Sequence, residues 1–151
     1  MTTLAFIEAI GNGDLFKIEL LLGQGIDPSA DNNLAIQWAA DKGHLAVVER
    51  LLQDPRVDPS ADDNLAIRFA VGNDYLAVVE CLLKDPRVDP SSYANISIRL
   101  AVINGHLSMI ERLLRDPRVS STVDLNRLVQ SAEINGRSGI ADVLRSYRKL
   151  N

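Results

Sequence analysis

The sequence predicts an all-α fold of stacked antiparallel helix pairs, and three observations support this prediction. A string that starts at Leu34 returns at Leu65 and again at Ile96, an interval of 31 residues each time. An Asp-Pro-Arg-Val string that starts at Asp54 recurs with the same period. The apolar residues between these strings are spaced three and four apart, as on one face of a helix. Such a period is typical of solenoids, in which stacked units bury their apolar faces against each other.

The second repeat shows how each unit is expected to fold. Asn33 is the expected N-cap of a first helix from about Leu34 to Lys42, because its side-chain oxygen can accept from an early backbone N–H. Gly43 is expected to end this helix in the left-handed conformation. A second helix, with an apolar stripe, is expected from about Leu45 to Gln53. It ends there because Pro55 pushes the residue before it out of the helical region.

The period divides the chain into five units within one predicted domain, residues 1–151. The expected boundaries are about 3–33 for repeat 1, 34–64 for repeat 2, 65–95 for repeat 3, 96–126 for repeat 4 and 127–151 for a C-terminal capping repeat. Arg127, Ser131 and Glu133 stand where the preceding unit has apolar residues. Terminal repeats need a polar outer face, so this change predicts the cap.

Composition limits the partners and the compartment. The formal charge of −4 disfavours nucleic acid as a partner. The same charge disfavours an anionic membrane as a partner, and the apolar groups are too short to span a bilayer. The single cysteine, Cys81, cannot form an internal disulfide, which predicts a reducing compartment. We therefore expect a cytoplasmic protein.

The residues offer little for catalysis. No paired acid and base can be assembled from them, and Cys81 stands where other repeats have arginine. The acidic residues Asp31, Asp62 and Asp63 lack the ligand spacing of a calcium loop. We therefore expect a protein that is not an enzyme and that has no cofactor and no metal site.

Three strings, starting at Leu22, Gly43 and Gly105, resemble the ankyrin repeat family. They match its Leu-Leu-x-x-Gly-Ala and Gly-His-x-x-x-Val elements in phase, over nearly the whole chain. The Asp-Pro-Arg-Val-Asp-Pro-Ser variant is similar to repeats of protists and of giant viruses of amoebae, and a viral origin would imply the host cytoplasm as the location. The resemblance implies that His44 and His106 brace neighbouring repeats. Because the linkers are shorter than usual, it also implies that projecting β-hairpin fingers are short or absent.

The resemblance further implies a protein-binding surface on the concave face of the first helices and at the linker tips. Carried over position by position, the candidate binding residues are Trp38, Asp41, Lys42, Phe69, Asn73, Tyr75, Tyr93, Leu100, Ile103 and Asn104. The linker tips are further expected to present Asn33, Asp62 and Asp63. Aromatic side chains often dominate binding energy. However, Trp38 and Phe69 occupy equivalent places, so packing between layers competes with partner contact as their role.

Arg56, Arg87 and Arg118 recur once per repeat and allow two interpretations. Three aligned guanidinium groups could meet an acidic partner or a phosphate. Alternatively, each could pair with a nearby aspartate such as Asp54 or Asp58, which contributes only ~0–1 kcal/mol when exposed. We favour local pairing.

These observations predict a non-enzymatic protein–protein interaction module, either an adaptor or an occluding inhibitor. The predicted molecule is a monomer that binds a partner protein whose identity the sequence does not give. The alternative is a structural or self-assembling scaffold component with no dedicated small-molecule site.

Overall fold

The computed structural model describes residues 2–150, which are mostly helical and contain no strand. This confirms the predicted all-α fold of helix pairs. The helices are α1 (Thr2–Asn12), α2 (Leu15–Gly23), α3 (Ala30–Asp41), α4 (Leu45–Leu52), α5 (Ala61–Gly72), α6 (Leu76–Leu82), α7 (Ser92–Asn104), α8 (Leu107–Leu114), α9 (Pro117–Ser120), α10 (Leu125–Ile134) and α11 (Ser138–Leu150). They fall into two compact units, the first ending at Asp89 and the second beginning at Pro90.

The first unit contains three helix pairs, α1–α2, α3–α4 and α5–α6. The first helix of the central pair, α3, packs against both α1 and α5, while α4 packs against α6. Ile36, Leu51, Ile67 and Leu82 are among the side chains that this stacking buries completely. The apolar stripes predicted from the sequence therefore form the interior between neighbouring pairs.

The second unit contains two longer pairs, α7–α8 and α10–α11, and the single turn α9. Helix α7 packs against α10, and α9 packs against α8. Ile98, Ile110 and Leu113 are fully buried in this unit. On α10, Arg127 and Glu133 are exposed.

The turn between the helices of a pair uses a residue in the left-handed conformation. Gly43 has a φ of +71° and Gly105 a φ of +89°, as the sequence predicts. The N–H of His44 then donates to the carbonyl oxygen of Ala39 at 3.0 Å and closes the end of α3. In the third repeat Asp74 takes this place with a φ of +63°, a conformation that aspartate tolerates better than most residues.

The start of α3, and of its equivalents α5 and α7, differs from the prediction. Residues 31–33 form a left-handed turn with φ between 51° and 63°, and residues 62–64 do the same. Asn33 is therefore not an N-cap. Its Oδ1 instead accepts a hydrogen bond from the backbone N–H of Asp58 at 2.7 Å, and Asn64 accepts from Asp89 in the same way. Asn33 is also only 8% exposed, so its predicted place at a linker tip was wrong.

This asparagine contact explains how the linkers are held without hairpin fingers. Within the first unit, the side-chain oxygens of Asn33 and Asn64 each accept a hydrogen bond from a backbone N–H of the next linker along the chain. Such a bond replaces part of the backbone pairing that a hairpin would supply, because a buried N–H needs an acceptor.

One buried hydroxyl in the second unit leads to a stability prediction. Ser97 is fully buried, and its Oγ has no hydrogen-bond partner among the described atoms. Alanine stands at the equivalent positions Ala35 and Ala66. We expect Ser97→Ala to raise the free energy of unfolding by about 1 kcal/mol, since an unsatisfied buried hydroxyl costs ~1–3 kcal/mol. Urea unfolding measures this change.

The control for this substitution is Ser108→Ala, which removes a hydroxyl from an exposed position of α8. It should leave the urea midpoint nearly unchanged. An unchanged or lower midpoint for Ser97→Ala would show that its hydroxyl is satisfied.

Candidate protein-binding surface

Trp38 on α3 combines the two roles that the sequence left open. Its indole lies over Gly11 of α1, where an added Cβ would come within 2.8 Å of Trp38 Nε1. Glycine is therefore required beneath the ring for it to lie this close. Even so, the side chain is 38% exposed. Trp38 thus packs against the preceding helix pair and still presents part of its ring to solvent.

A polar network surrounds this ring. Lys42 Nζ lies 4.7 Å from the centroid of the Trp38 ring, a cation–π contact, and 3.0 Å from Asp41 Oδ2. Asn73 Nδ2 on the neighbouring repeat donates to Asp41 Oδ1 at 3.1 Å and to the carbonyl oxygen of Phe69 at 3.1 Å. These contacts connect the ends of α3 and α5.

Phe69 occupies on α5 the place that Trp38 occupies on α3, and it is 37% exposed. We call the set Trp38, Asp41, Lys42, Phe69 and Asn73 the Trp38–Phe69 surface. It contains five of the predicted binding residues, all in the first unit. It offers two half-exposed aromatic rings and a lysine–aspartate pair.

Tyr75 and His44 brace the helix-pair turns. The Tyr75 ring covers Gly43 so closely that an added Cβ would lie 2.8 Å from two of its carbons. His44 covers Gly13 in the same manner, and its Nε2 lies 2.9 Å from the carbonyl oxygen of Gly11. The bracing role predicted for His44 is thereby confirmed. Tyr75 holds two repeats together, with part of its ring still exposed.

The remaining predicted residues lie in the second unit. Tyr93 is exposed in the left-handed turn that begins α7, and Ile103 and Asn104 are exposed near the end of that helix. Leu100 is half-buried. Of these four, Ile103 lines a groove of about 530 Å³ between α7 and α10, which we call the α7–α10 groove.

The groove also contains residues that the sequence did not single out for binding. These are Arg99, Arg127 and Ile134, which line it together with Ile103. Arg127 was interpreted only as part of the cap. No sequence signal distinguishes the three, because exposed arginine and isoleucine are ordinary on helix surfaces.

The repeat geometry agrees with the result of a family comparison. A family model described as ankyrin repeats, in three copies, matches residues 6–94. The chain belongs to the ankyrin repeat family. A search of curated proteins finds no match to the sequence. Ankyrin repeats generally act as protein–protein interaction modules and are typically not catalytic.

The three arginines that recur once per repeat each form a local ion pair. Arg56 Nε and Nη2 donate to the two carboxylate oxygens of Asp54 at 2.9 and 2.7 Å. The same bidentate contact joins Arg87 to Asp85 and, in the second unit, Arg118 to Asp116. Local pairing is thus confirmed. These arginines fix the Asp-Pro turns at the start of each linker.

The pairs also change the acidity of their carboxyl groups. The hydrogen bond from Arg56 lowers the pKa of Asp54 from its ordinary 3.8 to about 2, against the opposing effect of burial. The hydrogen bonds from Arg87 and Arg118 likewise lower the pKa of Asp85 and of Asp116.

A pH dependence of stability follows from Asp54. A carboxyl with a lowered pKa in the folded state stabilises the fold above its unfolded pKa, and this contribution is lost as the pH falls from about 4 through about 2. We expect ~1 kcal/mol for Asp54 after allowing for solvent screening. Urea unfolding at pH 7, 4 and 2 measures the loss. Asp54→Asn should show a smaller loss between pH 4 and 2, and an equal loss would place the effect elsewhere.

The structure gives no support for a reactive site at the cysteine. Cys81 is buried, and burial together with the charge of Glu49 raises the pKa of its thiol, which disfavours the nucleophilic thiolate. The described part of the chain brings together no group of histidine, cysteine and acidic side chains suited to a metal ion. None of its helices has the length and apolar character needed to cross a bilayer.

Proposed function

We propose that this ankyrin chain is a non-enzymatic adaptor or occluding inhibitor. It binds a partner protein through the Trp38–Phe69 surface, with Tyr75 at its edge, and through the second-unit residues Tyr93, Leu100, Ile103 and Asn104. It acts as a monomer in the cytoplasm, in keeping with its single, buried cysteine. The observation that carries this proposal is the pair of half-exposed aromatic rings, one repeat apart on the first helices.

The physical argument rests on the support beneath these rings. Trp38 is held by Gly11 below and Lys42 beside it, so little side-chain entropy remains to be lost on binding. Aromatic rings fixed in this way are favourable anchors, since each buries a large apolar area against the partner and removes it from water. The adjoining Lys42–Asp41 pair supplies polar contacts at the rim.

The test compares partner capture by the wild type and by Trp38→Ala/Phe69→Ala. Proteins retained from cell extract are identified by mass spectrometry, and their affinities are then measured with purified components. We expect at least a ~100-fold loss of affinity for the double variant, since an anchor residue contributes ~2 kcal/mol or more. Urea unfolding of each variant confirms that it is folded.

The matched control is Phe16→Ala. Phe16 on α2 is an aromatic residue that is 83% exposed and lies outside the proposed surface. This variant should bind every partner as the wild type does. If the folded double variant retains every partner with unchanged affinity, the Trp38–Phe69 surface is not the binding site.

A self-assembling scaffold is the second candidate function, and the first helix pair favours it. Leu4 on α1 and Phe16 and Leu20 on α2 are exposed apolar side chains of the kind that association between copies buries. Sedimentation velocity over a wide concentration range separates the two functions. Assembly that Phe16→Asp abolishes would support the scaffold, whereas a monomer at every concentration would contradict it.

A further inference from the structure

We propose that the α7–α10 groove binds an acidic peptide segment of the partner that also carries one apolar anchor side chain. This inference rests on the proposed binding function and specifies the chemistry of the partner at one site. It follows from two features of the groove, an apolar end and a basic flank, and from a comparison with the first unit.

The apolar end is formed by Ile103 and Ile134. They stand one period apart, near the ends of α7 and α10, and both line the groove. Ile103 is 39% exposed and Ile134 is 77% exposed. Two isoleucines at equivalent positions on packed helices offer an apolar contact surface for one side chain of a ligand.

The basic flank is formed by Arg99 and Arg127. Arg99 lies one helical turn before Ile103, is exposed and forms no ion pair with any residue in the described range. Arg127 lies in the first turn of α10 with its side chain 86% exposed, and its Nε is 3.4 Å from Asp124 Oδ2. Neither guanidinium forms a bidentate ion pair of the kind that Arg56 forms with Asp54. Both can therefore donate hydrogen bonds to a carboxylate of the ligand.

Helix α3 of the first unit uses the same positions differently. The place of Arg99 is taken by Gln37 on α3, whose Nε2 donates to the carbonyl oxygen of Asn32 at 2.8 Å and to Asp62 Oδ2 at 3.3 Å. The places of Ile103 and Ile134 are taken by Asp41 and Gly72. On α3 this position therefore serves internal bonding. On α5 the same place is held by Arg68, which is half-buried, whereas Arg99 on α7 is exposed beside an apolar pair.

The dimensions favour a peptide over a small molecule or a nucleic acid. A site for a small molecule encloses most of its ligand, whereas Ile134 and Arg127 remain mostly exposed on the wall of this groove. The isoleucine pair and the nearby Asp124 are unsuited to a phosphate backbone. Arg99 is one turn, ~5.4 Å, from Ile103, so the acidic and anchor residues of the ligand are about two positions apart in an extended chain.

The experiment selects ligands from a displayed library of random peptides with the full chain as bait. We expect the enriched peptides to share an aspartate or glutamate about two positions from a large apolar residue. A synthetic peptide of the enriched sequence is then titrated against each variant by fluorescence anisotropy. Arg99→Gln should weaken binding ~10-fold or more, since a hydrogen bond to a charged group contributes ~1.5–3 kcal/mol. Added salt should weaken wild-type binding as well.

Matched controls make the result specific. Arg115→Gln removes the same charge from an exposed position outside the groove and should leave the affinity unchanged. Ile134→Ser should weaken binding, while Leu107→Ser, at an exposed leucine of α8, should not. All four substituted residues are exposed, and urea unfolding confirms that each variant is folded.

The possible outcomes separate this inference from the proposed function. Peptides that lack acidic residues, or that bind Arg99→Gln and wild type equally, contradict the groove assignment. If Trp38→Ala/Phe69→Ala abolishes their binding instead, the function stands and the site is on the first unit. If the selection enriches no peptide while a protein partner is captured through the Trp38–Phe69 surface, the groove assignment is contradicted and the proposed function is not.

Discussion

Replacing Leu82 with alanine is expected to lower the free energy of unfolding by about 2–5 kcal/mol. Leu82 is the last residue of α6 and is fully buried where α6 packs against α4 and α5. Truncation removes the transfer free energy of the side chain and leaves a cavity that closely packed helices fill only in part. Equilibrium urea unfolding, followed by circular dichroism, gives the change from the shift in midpoint.

Leu20→Ala is the matched control for this substitution. Leu20 lies on α2 in the same unit, but it is 53% exposed. The same chemical change should cost less than ~1 kcal/mol there, because much of the side chain is already in water. Equal losses for the two variants would mean that Leu82 does not lie in the interior of the stacked pairs.

Much of the fold could be predicted from the sequence because local residue types decide it. The spacing of Leu45, Val48 and Leu51 predicts the apolar face of α4, and the helix starts at Leu45 and ends before Pro55 as expected. Of this stripe, Val48 and Leu51 are buried and Leu45 is half-buried, while Val47 is buried as well. Gly43 is likewise decided locally, since a left-handed helix end favours glycine over every other residue.

The left-handed turns at the start of α3, α5 and α7 could not be predicted in this way. Asparagine is favourable both as an N-cap and in the left-handed region, so Asn33 alone is ambiguous. Its role depends on the N–H of Asp58, 25 residues further along the chain, which the fold brings to 2.7 Å. This contact between repeats, and not the local preference of asparagine for an N-cap, therefore determines the role of Asn33.

The binding surface likewise combines features that the local sequence indicates with features that depend on contacts between repeats. The sequence indicated which residues stand on the first helices, and the structure adds what lies beneath and beside them. Trp38 could be recognised as a candidate, but the packing of its ring on Gly11 depends on how closely α1 and α3 approach each other. Arg99 could not be recognised, because its availability depends on the absence of a local partner of the kind that Gln37 has in the first unit.

Replacing Gly43 with alanine is expected to lower the free energy of unfolding by ~2–4 kcal/mol, for two reasons that can be separated. The first is strain, since Gly43 has a φ of +71° and a left-handed alanine costs ~1–2 kcal/mol. The second is a clash, because the new Cβ would lie within 2.9 Å of Cγ, Cδ1 and Cε1 of Tyr75. Ring rotation moves Cδ1 and Cε1 but leaves Cγ in place, so the side chain as a whole must shift.

Gly136→Ala separates the two contributions to the Gly43→Ala loss. Gly136 has a φ of +69°, but an added Cβ there meets no atom within 4 Å. Urea unfolding of this variant should therefore report the strain alone, about 1–2 kcal/mol. Adding Tyr75→Ala to Gly43→Ala should cost less than the two single losses combined, since the ring that causes the clash is gone. Equal losses for Gly43→Ala and Gly136→Ala would show that Tyr75 does not brace this turn.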